Sequence, residues 1–329
     1  MTIGRRALFA ILIGAVVAPT SALAQEAQKV WKVGILWHAA NLQQEMVMYQ
    51  PFDEGMRDLG YVEGSNVRFY HTFVDEKFEL FQGNTKKLVD EKVDIIMASV
   101  AEAAAAASKI TNTIPIVFAT SGDPVKSGLV KSMRNPGRNI TGFSLFYPEL
   151  AAKHLEMLRD TVPGLSSVAM LWDPANIDHA DTLKAAERAA KPLDIEIVPV
   201  SATSPDDFAR AFADMTKSKA GGLIVLGHSM FRVNAKAIVA LAASNRLPAI
   251  YAPRDYADAG GLISYGACIP CNFRRSATYI DKILKGGKAS DLPVQQPVTF
   301  ELVVNLKAAK TLGLTIPMTL LARADEVIE

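Results

Sequence analysis

Apolar residues run through this chain in two alternating rhythms. Short apolar blocks lie at 30–37, 67–73, 93–99, 114–119 and 140–146. Between the earlier blocks, 50–59, 78–91 and 101–110 carry apolar residues at helical spacing. A short apolar block bounded by turn residues reads as a buried strand, and a spacing of three and four reads as an amphipathic helix. Gly60 supplies a helix stop. The alternation then restarts. Helices are predicted over 149–161, 180–191 and 235–244, and strands over 168–172, 195–200, 222–226, 248–251 and 261–265. Ser204-Pro205-Asp206-Asp207 opens a further helix with a hydroxyl cap, an early proline and acids in the first turn.

Strands that alternate with helices of about 10–15 residues imply βαβ units and a parallel sheet. The pattern therefore predicts an α/β chain of two doubly wound, Rossmann-like lobes, over 30–141 and 142–265. Residues 266–329 offer a helix at 274–285, a strand at 298–304 and a helix at 306–312. One strand–helix unit cannot build a third domain. The segment is expected to cross back and divide between the two lobes, giving a multi-segment hinge with a cleft.

The first residues change the picture of what the mature chain is. Arg5 and Arg6 precede an apolar run from Ala7 to Ala18, and Ala22-Leu23-Ala24 follows. A positive flank, a short apolar core and an A-x-A end form a secretory signal peptide, over 1–24, cleaved after Ala24. The core is shorter than the roughly 20 residues a bilayer span needs. The residues around Arg5-Arg6 match the twin-arginine pattern poorly, which favours the general secretion route. The expected location is periplasmic.

The chain has 329 residues, 50% hydrophobic and 21% charged, an ordinary globular balance that argues against disorder. Lys plus Arg number 35 and Asp plus Glu 34. Losing Arg5 and Arg6 leaves 33 basic residues against 34 acidic ones, a net charge of −1. No basic surplus exists, so nucleic acid is not an expected partner. Two cysteines cannot form a disulfide-rich framework.

A distinctive run closes the chain: Tyr279-Ile280-Asp281-Lys282-Ile283-Leu284-Lys285-Gly286-Gly287, then Asp291-Leu292-Pro293-Val294-Gln295-Gln296-Pro297. It continues through Phe300-Glu301-Leu302-Val303-Val304-Asn305 and Leu312-Gly313-Leu314 to Arg323-Ala324-Asp325-Glu326-Val327-Ile328. Shorter stretches agree, among them Ile114-Pro115-Ile116-Val117-Phe118-Ala119 and Asn135-Pro136-Gly137-Arg138-Asn139-Ile140-Thr141-Gly142. Over residues 30–329 the chain strongly resembles the ABC transporter substrate-binding proteins of the family that includes tryptophan- and tyrosine-binding lipoproteins. The resemblance implies a type I periplasmic binding protein with three crossovers between lobes, which closes around a small solute and presents it to an ABC permease in the inner membrane. It implies no catalysis and no cofactor, and a monomer is expected.

Ligands of open α/β sheets sit beyond the carboxyl ends of the strands, where helix N-termini suit a carboxylate. The candidates in the first lobe are Trp37, for stacking, His38, Ser99 at the start of a helix, and Ser121 and Asp123. The Thr120–Pro124 loop that holds the last two is also where the resemblance implies a polar contact. Asp before Pro equally suits a capped turn. In the second lobe the candidates are Asn176, His228 and Arg254. Arg254 is read either as an anion clamp or as an interlobe ion pair. Thr141-Gly142 and Tyr265-Gly266 read as hinge segments, with glycine permitting rotation. An amino acid or small organic acid, aromatic because of Trp37, Tyr147 and Tyr265, is the expected ligand.

Cys268-Ile269-Pro270-Cys271 lies between a strand and a helix, the setting of thioredoxin-like redox pairs. A local structural disulfide, two buried thiols, or an exported thiol–disulfide oxidoreductase each fit the spacing. Further cysteine or histidine ligands for a metal are absent nearby, so no metal is expected. A sensory module handing its ligand to a signalling partner would need the same closing cleft. No Gly-x-Ser-x-Gly, His-Glu-x-x-His or P-loop occurs.

Overall fold

The computed structural model describes residues 29–145 and 147–329, so the expected export signal and its cleavage site lie outside the described residues. The first five apolar blocks pair as one parallel sheet: β1 (Trp31–Trp37), β2 (Val67–Phe73), β3 (Ile95–Ala98), β4 (Ile116–Ser121) and β5 (Ile140–Ser144), in the order β2-β1-β3-β4-β5. The helices α1 (Leu42–Asp58), α2 (Phe81–Asp90) and α3 (Ala101–Ile110) join them. The helix expected to begin at 50 starts at Leu42, because the Asn41 side chain accepts from the Gln44 N–H and caps it. Pro51 lies inside that helix.

The second lobe comprises α4 (Tyr147–Thr161), β6 (Ser167–Trp172), α5 (Ile177–Ala190), β7 (Glu196–Ser201), α6 (Phe208–Lys217), β8 (Gly222–Val225), α7 (Ser229–Val233), α8 (Ala235–Ser244), β9 (Ala249–Tyr251), α9 (Asp255–Asp258) and β10 (Ile263–Ala267). The chain ends with α10 (Ile269–Leu284), β11 (Phe300–Asn305), α11 (Leu306–Leu312), α12 (Met318–Leu321) and β12 (Glu326–Ile328). The second sheet runs β12-β11-β10-β9-β8-β6-β7, with β11 antiparallel to β10. Buried aliphatic residues fill both faces of each sheet, Val33 and Ile35 on one face of the first and Leu36 and Ile96 on the other, Ile224 and Ile250 on one face of the second and Leu223 and Val225 on the other, the arrangement that near-continuous apolar strands require.

The lobes exchange chain three times. The first crossing follows β5. The second follows β10: α10 packs against α1 and places Phe273, Ala277 and Ile280 in the first lobe's core. Tyr61 Oη also donates to Asp281 Oδ1 at 3.0 Å. Gln295 then bonds both Gly142 and Ser144 before the chain returns to β11. The Cys268 N–H donates to the Thr299 carbonyl at 3.2 Å, so the second and third crossings are tied together.

β5 continues to Ser144 in the first sheet, so the crossing lies beyond the 141/142 boundary read from the sequence. Thr141 and Gly142 are strand residues there, and Thr141 Oγ1 donates to the Leu292 carbonyl at 2.6 Å. Close approach requires glycine at both expected hinge positions. A Cβ at Gly142 would lie 2.1 Å from the Phe118 carbonyl, and one at Gly266 would lie 2.1 Å from that of Ala252.

Candidate functional site

Residues that follow the carboxyl ends of β1, β3, β4, β6, β8 and β9 converge between the lobes, where strand polarity places a ligand. They line two adjoining chambers with cavity volumes of about 50 Å³ and 60 Å³ that share Val100, Thr120, Leu145, His228 and Ser229. The first chamber is partly apolar, with Met48, Leu145, Ile269 and Phe273 on its walls. The second is lined by the first turns of α3 and α5.

Ser99 and Ser121 close β3 and β4. Both are buried, at 0% and 3% exposure, and neither Oγ has a hydrogen-bond partner among the described residues. Their backbones hold them in place: the Ser99 N–H donates to the Leu36 carbonyl, and the Ser121 carbonyl accepts from the Leu145 N–H. His228 Nδ1 is likewise buried without a partner, while its Nε2 lies 3.7 Å from Asp173 Oδ2. Burial pushes the His228 pKa down, so the ring is neutral at pH 7. A buried polar atom without a partner costs about 1–3 kcal/mol. A bound solute would offset that cost for three groups at once.

His38 is held on both sides. Arg232 Nη2 donates to His38 Nε2 at 3.2 Å, which leaves Nδ1–H to donate to Glu76 Oε1 at 2.6 Å. Arg232 comes from the second lobe, and His38 and Glu76 from the first. Glu76 also accepts from Ser229 Oγ at 3.1 Å, a second bond across the cleft. Arg232 is buried, which alone would lower its pKa. Asp255 at 3.1 Å and Glu45 at 4.0 Å outweigh that and hold the guanidinium charged. On the other side of the cleft, Asp178 Oδ1 accepts from the Asp123 N–H at 3.1 Å, and Lys126 Nζ meets Asp181 at 3.1 Å. The lobes thus meet along both sides of the cleft.

The structure gathers His38, Ser99, Ser121, Asn176 and His228 at this cleft. Asn176 caps α5, its Oδ1 accepting from the Asp178 N–H at 3.0 Å. Asp123 turns its carboxylate onto the N–H groups of Val125 and Lys126, the capped turn that Asp-Pro chemistry allows. Trp37 is fully buried behind the wall. It stacks on His71 and on Phe273, and only Phe273 reaches the cavity. Tyr265 stacks on Phe300 away from both chambers, and the Tyr147 side chain lies outside the described residues.

Arg254 is neither an anion clamp nor an interlobe bridge. It pairs with Glu301 at 2.5 Å, Glu326 at 2.6 Å and Asp258 at 3.3 Å, all in the second lobe, where it ties β11 to β12. Strand-end logic missed Arg232, the arginine at the cleft, because α7 is a five-residue helix without a clear apolar period. It also missed Glu45, Glu76, Glu102 and Asp178. Glu102 stands in the first turn of the helix predicted over 101–110, which was the available signal, whereas Asp178 lies in the first turn of the observed α5 but ahead of the helix predicted over 180–191.

Cys268 and Cys271 form a disulfide with Cα atoms 5.2 Å apart. Cys268 is the N-cap of α10, and its Sγ accepts from the Cys271 N–H at 3.2 Å. No group of three or more His, Cys, Asp or Glu among the described residues is arranged to hold a metal ion. No helix among them is long and apolar enough to cross a membrane.

A family model described as ABC transporter substrate binding protein matches residues 39–328. A tyrosine-binding protein of Clostridioides difficile (strain R20291) is 23% identical over 263 residues, 80% of this chain and 75% of that one. A solved conserved domain protein of Vibrio cholerae O1 biovar El Tor gives a TM-score of 0.85 at 26% identity, covering 91% of this chain and all of that one. An ABC domain from Streptococcus pneumoniae, solved in complex with L-Trp, has the same TM-score and coverage at 23% identity, a likeness of fold. The two-lobed architecture is the type I periplasmic binding protein fold.

Proposed function

Because the chain belongs to the ABC transporter substrate-binding protein family, we propose that it is an extracytoplasmic, monomeric solute-binding protein. It captures a small organic solute, an amino acid or an aromatic or organic acid, and delivers it to an ABC permease in the inner membrane. The observation that carries this reading is the set of buried, unpartnered atoms at the cleft: Ser99 Oγ, Ser121 Oγ and His228 Nδ1. The partly apolar chamber beside Phe273 supports a solute with an apolar body. Relatives that bind tyrosine, or were solved with L-Trp, support an amino acid.

Closure follows from differential contact. A solute that touches Ser99 on one lobe and His228 on the other makes both sets of contacts only when the lobes meet, so it shifts the population toward the closed form. The protein does no chemistry on the solute. Thermal-shift screening of residues 25–329 against amino acids, aromatic acids and small carboxylates, followed by calorimetry on each hit, tests the reading. At least one compound is expected to raise the melting temperature with one-to-one stoichiometry. A flat response across these classes and across a wider set of sugars and nucleosides would end it.

A further inference from the structure

The second lobe holds another cavity, apart from the cleft and larger than either of its chambers, with a volume of about 290 Å³. It lies between α8 and α11. Ala249, which begins β9, and Leu262, which precedes β10, line it. The cavity is therefore set toward the amino ends of the parallel strands, whereas the cleft lies beyond their carboxyl ends. Its size is close to the lower limit of small-molecule pockets, about 300 Å³. Val239, Leu247, Leu262 and Leu312 give it apolar walls.

Three donors on this cavity have no acceptor among the described residues. Tyr251 is 1% exposed and its ring stacks on Tyr256 at 4.4 Å, yet its hydroxyl makes no hydrogen bond. Burial alone pushes the Tyr251 pKa up, so the phenol keeps its proton and can donate it. Asn305 is 5% exposed and caps α11. Its Oδ1 accepts from the Ala308 N–H at 3.0 Å, which leaves the Nδ2 hydrogens unused. Lys307 stands exposed on α11 at the mouth, and no carboxylate pairs with its ammonium. No Asp or Glu lines the cavity.

A buried donor without an acceptor destabilises the fold, and a ligand that supplies the acceptor relieves it. A carboxylate accepts at both oxygens and brings the charge that complements Lys307. The aliphatic walls call for an apolar body behind that charge. We propose that this cavity is a second binding site, separate from the cleft, for a monocarboxylate with a small apolar body. The carboxylate lies within reach of Lys307, Asn305 and Tyr251, and the body lies between α8 and α11.

The test titrates residues 25–329 by calorimetry at pH 7.5 with octanoate and with 3-phenylpropanoate, each beside the alcohol and the amine of the same body. At least one acid is expected to bind about tenfold or more tightly than its alcohol and its amine. Lys307→Glu, at an exposed position, is expected to weaken that acid about tenfold or more. Tyr251→Phe removes only the hydroxyl and is expected to weaken the same acid by a smaller factor. Ala308→Trp, which fills the space beside Lys307, is expected to abolish binding. Thermal melts of the unliganded variants confirm folding. Failure of both acids to bind overturns the proposal, as does an alcohol or amine that binds as well as its acid. Acid binding that Ser99→Ala weakens and Lys307→Glu leaves unchanged would belong to the cleft, and also overturns it. So does a dimer in sedimentation equilibrium that Lys307→Glu dissociates, because a second copy of the chain would then cover the mouth.

Discussion

Gly122 and Asp178 approach so closely across the cleft that a Cβ on Gly122 would lie 2.0 Å from Asp178 Oδ2. Gly122→Ala therefore leaves two responses. The Asp178 carboxylate gives up the Asp123 N–H, or the lobes part. Overpacking of this kind costs about 1–3 kcal/mol, which corresponds to about tenfold or more in affinity. The variant is expected to melt within a degree or two of the wild type without ligand but to bind its solute at least tenfold more weakly, by calorimetry. Unchanged affinity would show that the contact plays no part in closure. The same scale shows where single residues mislead. Trp37 was legible as an aromatic at a strand end, yet its ring faces the core, because side chains of successive strand residues point to opposite sides. His38, the next residue, points into the cleft instead. Arg254 and Arg232 both follow second-lobe strands, and nothing local reveals that Glu301 and Glu326 will claim the first. Those partners lie 47 and 72 residues away.

Among the elements, α10 has the most tasks. It crosses between lobes, buries Phe273 and Ile280 in the first lobe's core, and presents Ile269 and Phe273 to the cavity. Its first turn is closed by the disulfide, with Cys268 as the cap. A cross-link over so short a loop stabilises by about 2 kcal/mol on the loop-entropy account. Reduction, or Cys268→Ser with Cys271→Ser, is expected to lower the melting temperature by a few degrees and to weaken solute binding through Phe273. It should confer no disulfide-reductase activity. Turnover of insulin disulfides by the reduced protein, abolished in the double variant, would make the pair catalytic instead. Most elements were legible before the structure, because buried parallel strands are continuous apolar blocks and the helices between them keep the 3.6-residue period. The misjudged boundaries have local causes. α1 begins eight residues before the expected start, behind the Asn41 cap, and the first turn of α10 is Ile-Pro-Cys, which carries no helical period. β12 was not predicted as a strand, since three residues hold too little pattern.

At the scale of the whole molecule, three crossings and two sheets make a body whose stability depends on pH through buried histidines. His154 on α4 donates Nε2–H to the Tyr265 carbonyl on β10 at 2.6 Å, linking the element after the first crossing to the strand before the second. His179 accepts from the Asp173 N–H at Nδ1 and donates Nε2–H to the Gly227 carbonyl. Burial lowers each pKa from 6.5 to about 4, with the neighbouring His228 adding to the effect on His179. The unfolded chain therefore binds protons between pH 6.5 and 4 that the folded chain refuses. The stabilisation is complete above pH 6.5 and declines as pH falls toward 4. At about 1.4 kcal/mol per pH unit, each histidine costs roughly 2 kcal/mol by pH 5. Glu102 and Asp178 act in the opposite sense, because their raised pKa values make the folded chain bind protons sooner than the unfolded one. Their uptake of protons as the pH falls offsets part of the loss that the histidines cause. Denaturant melts at pH 7.5 and pH 5 are expected to differ by roughly 4 kcal/mol, the more acidic sample being weaker. His154→Gln retains an N–H donor for Tyr265 and cannot titrate, so it should remove roughly 2 kcal/mol of that difference. Equal stability at the two pH values would mean that both rings take up a proton without leaving the core, and the neutral hydrogen bonds assigned to them would be wrong.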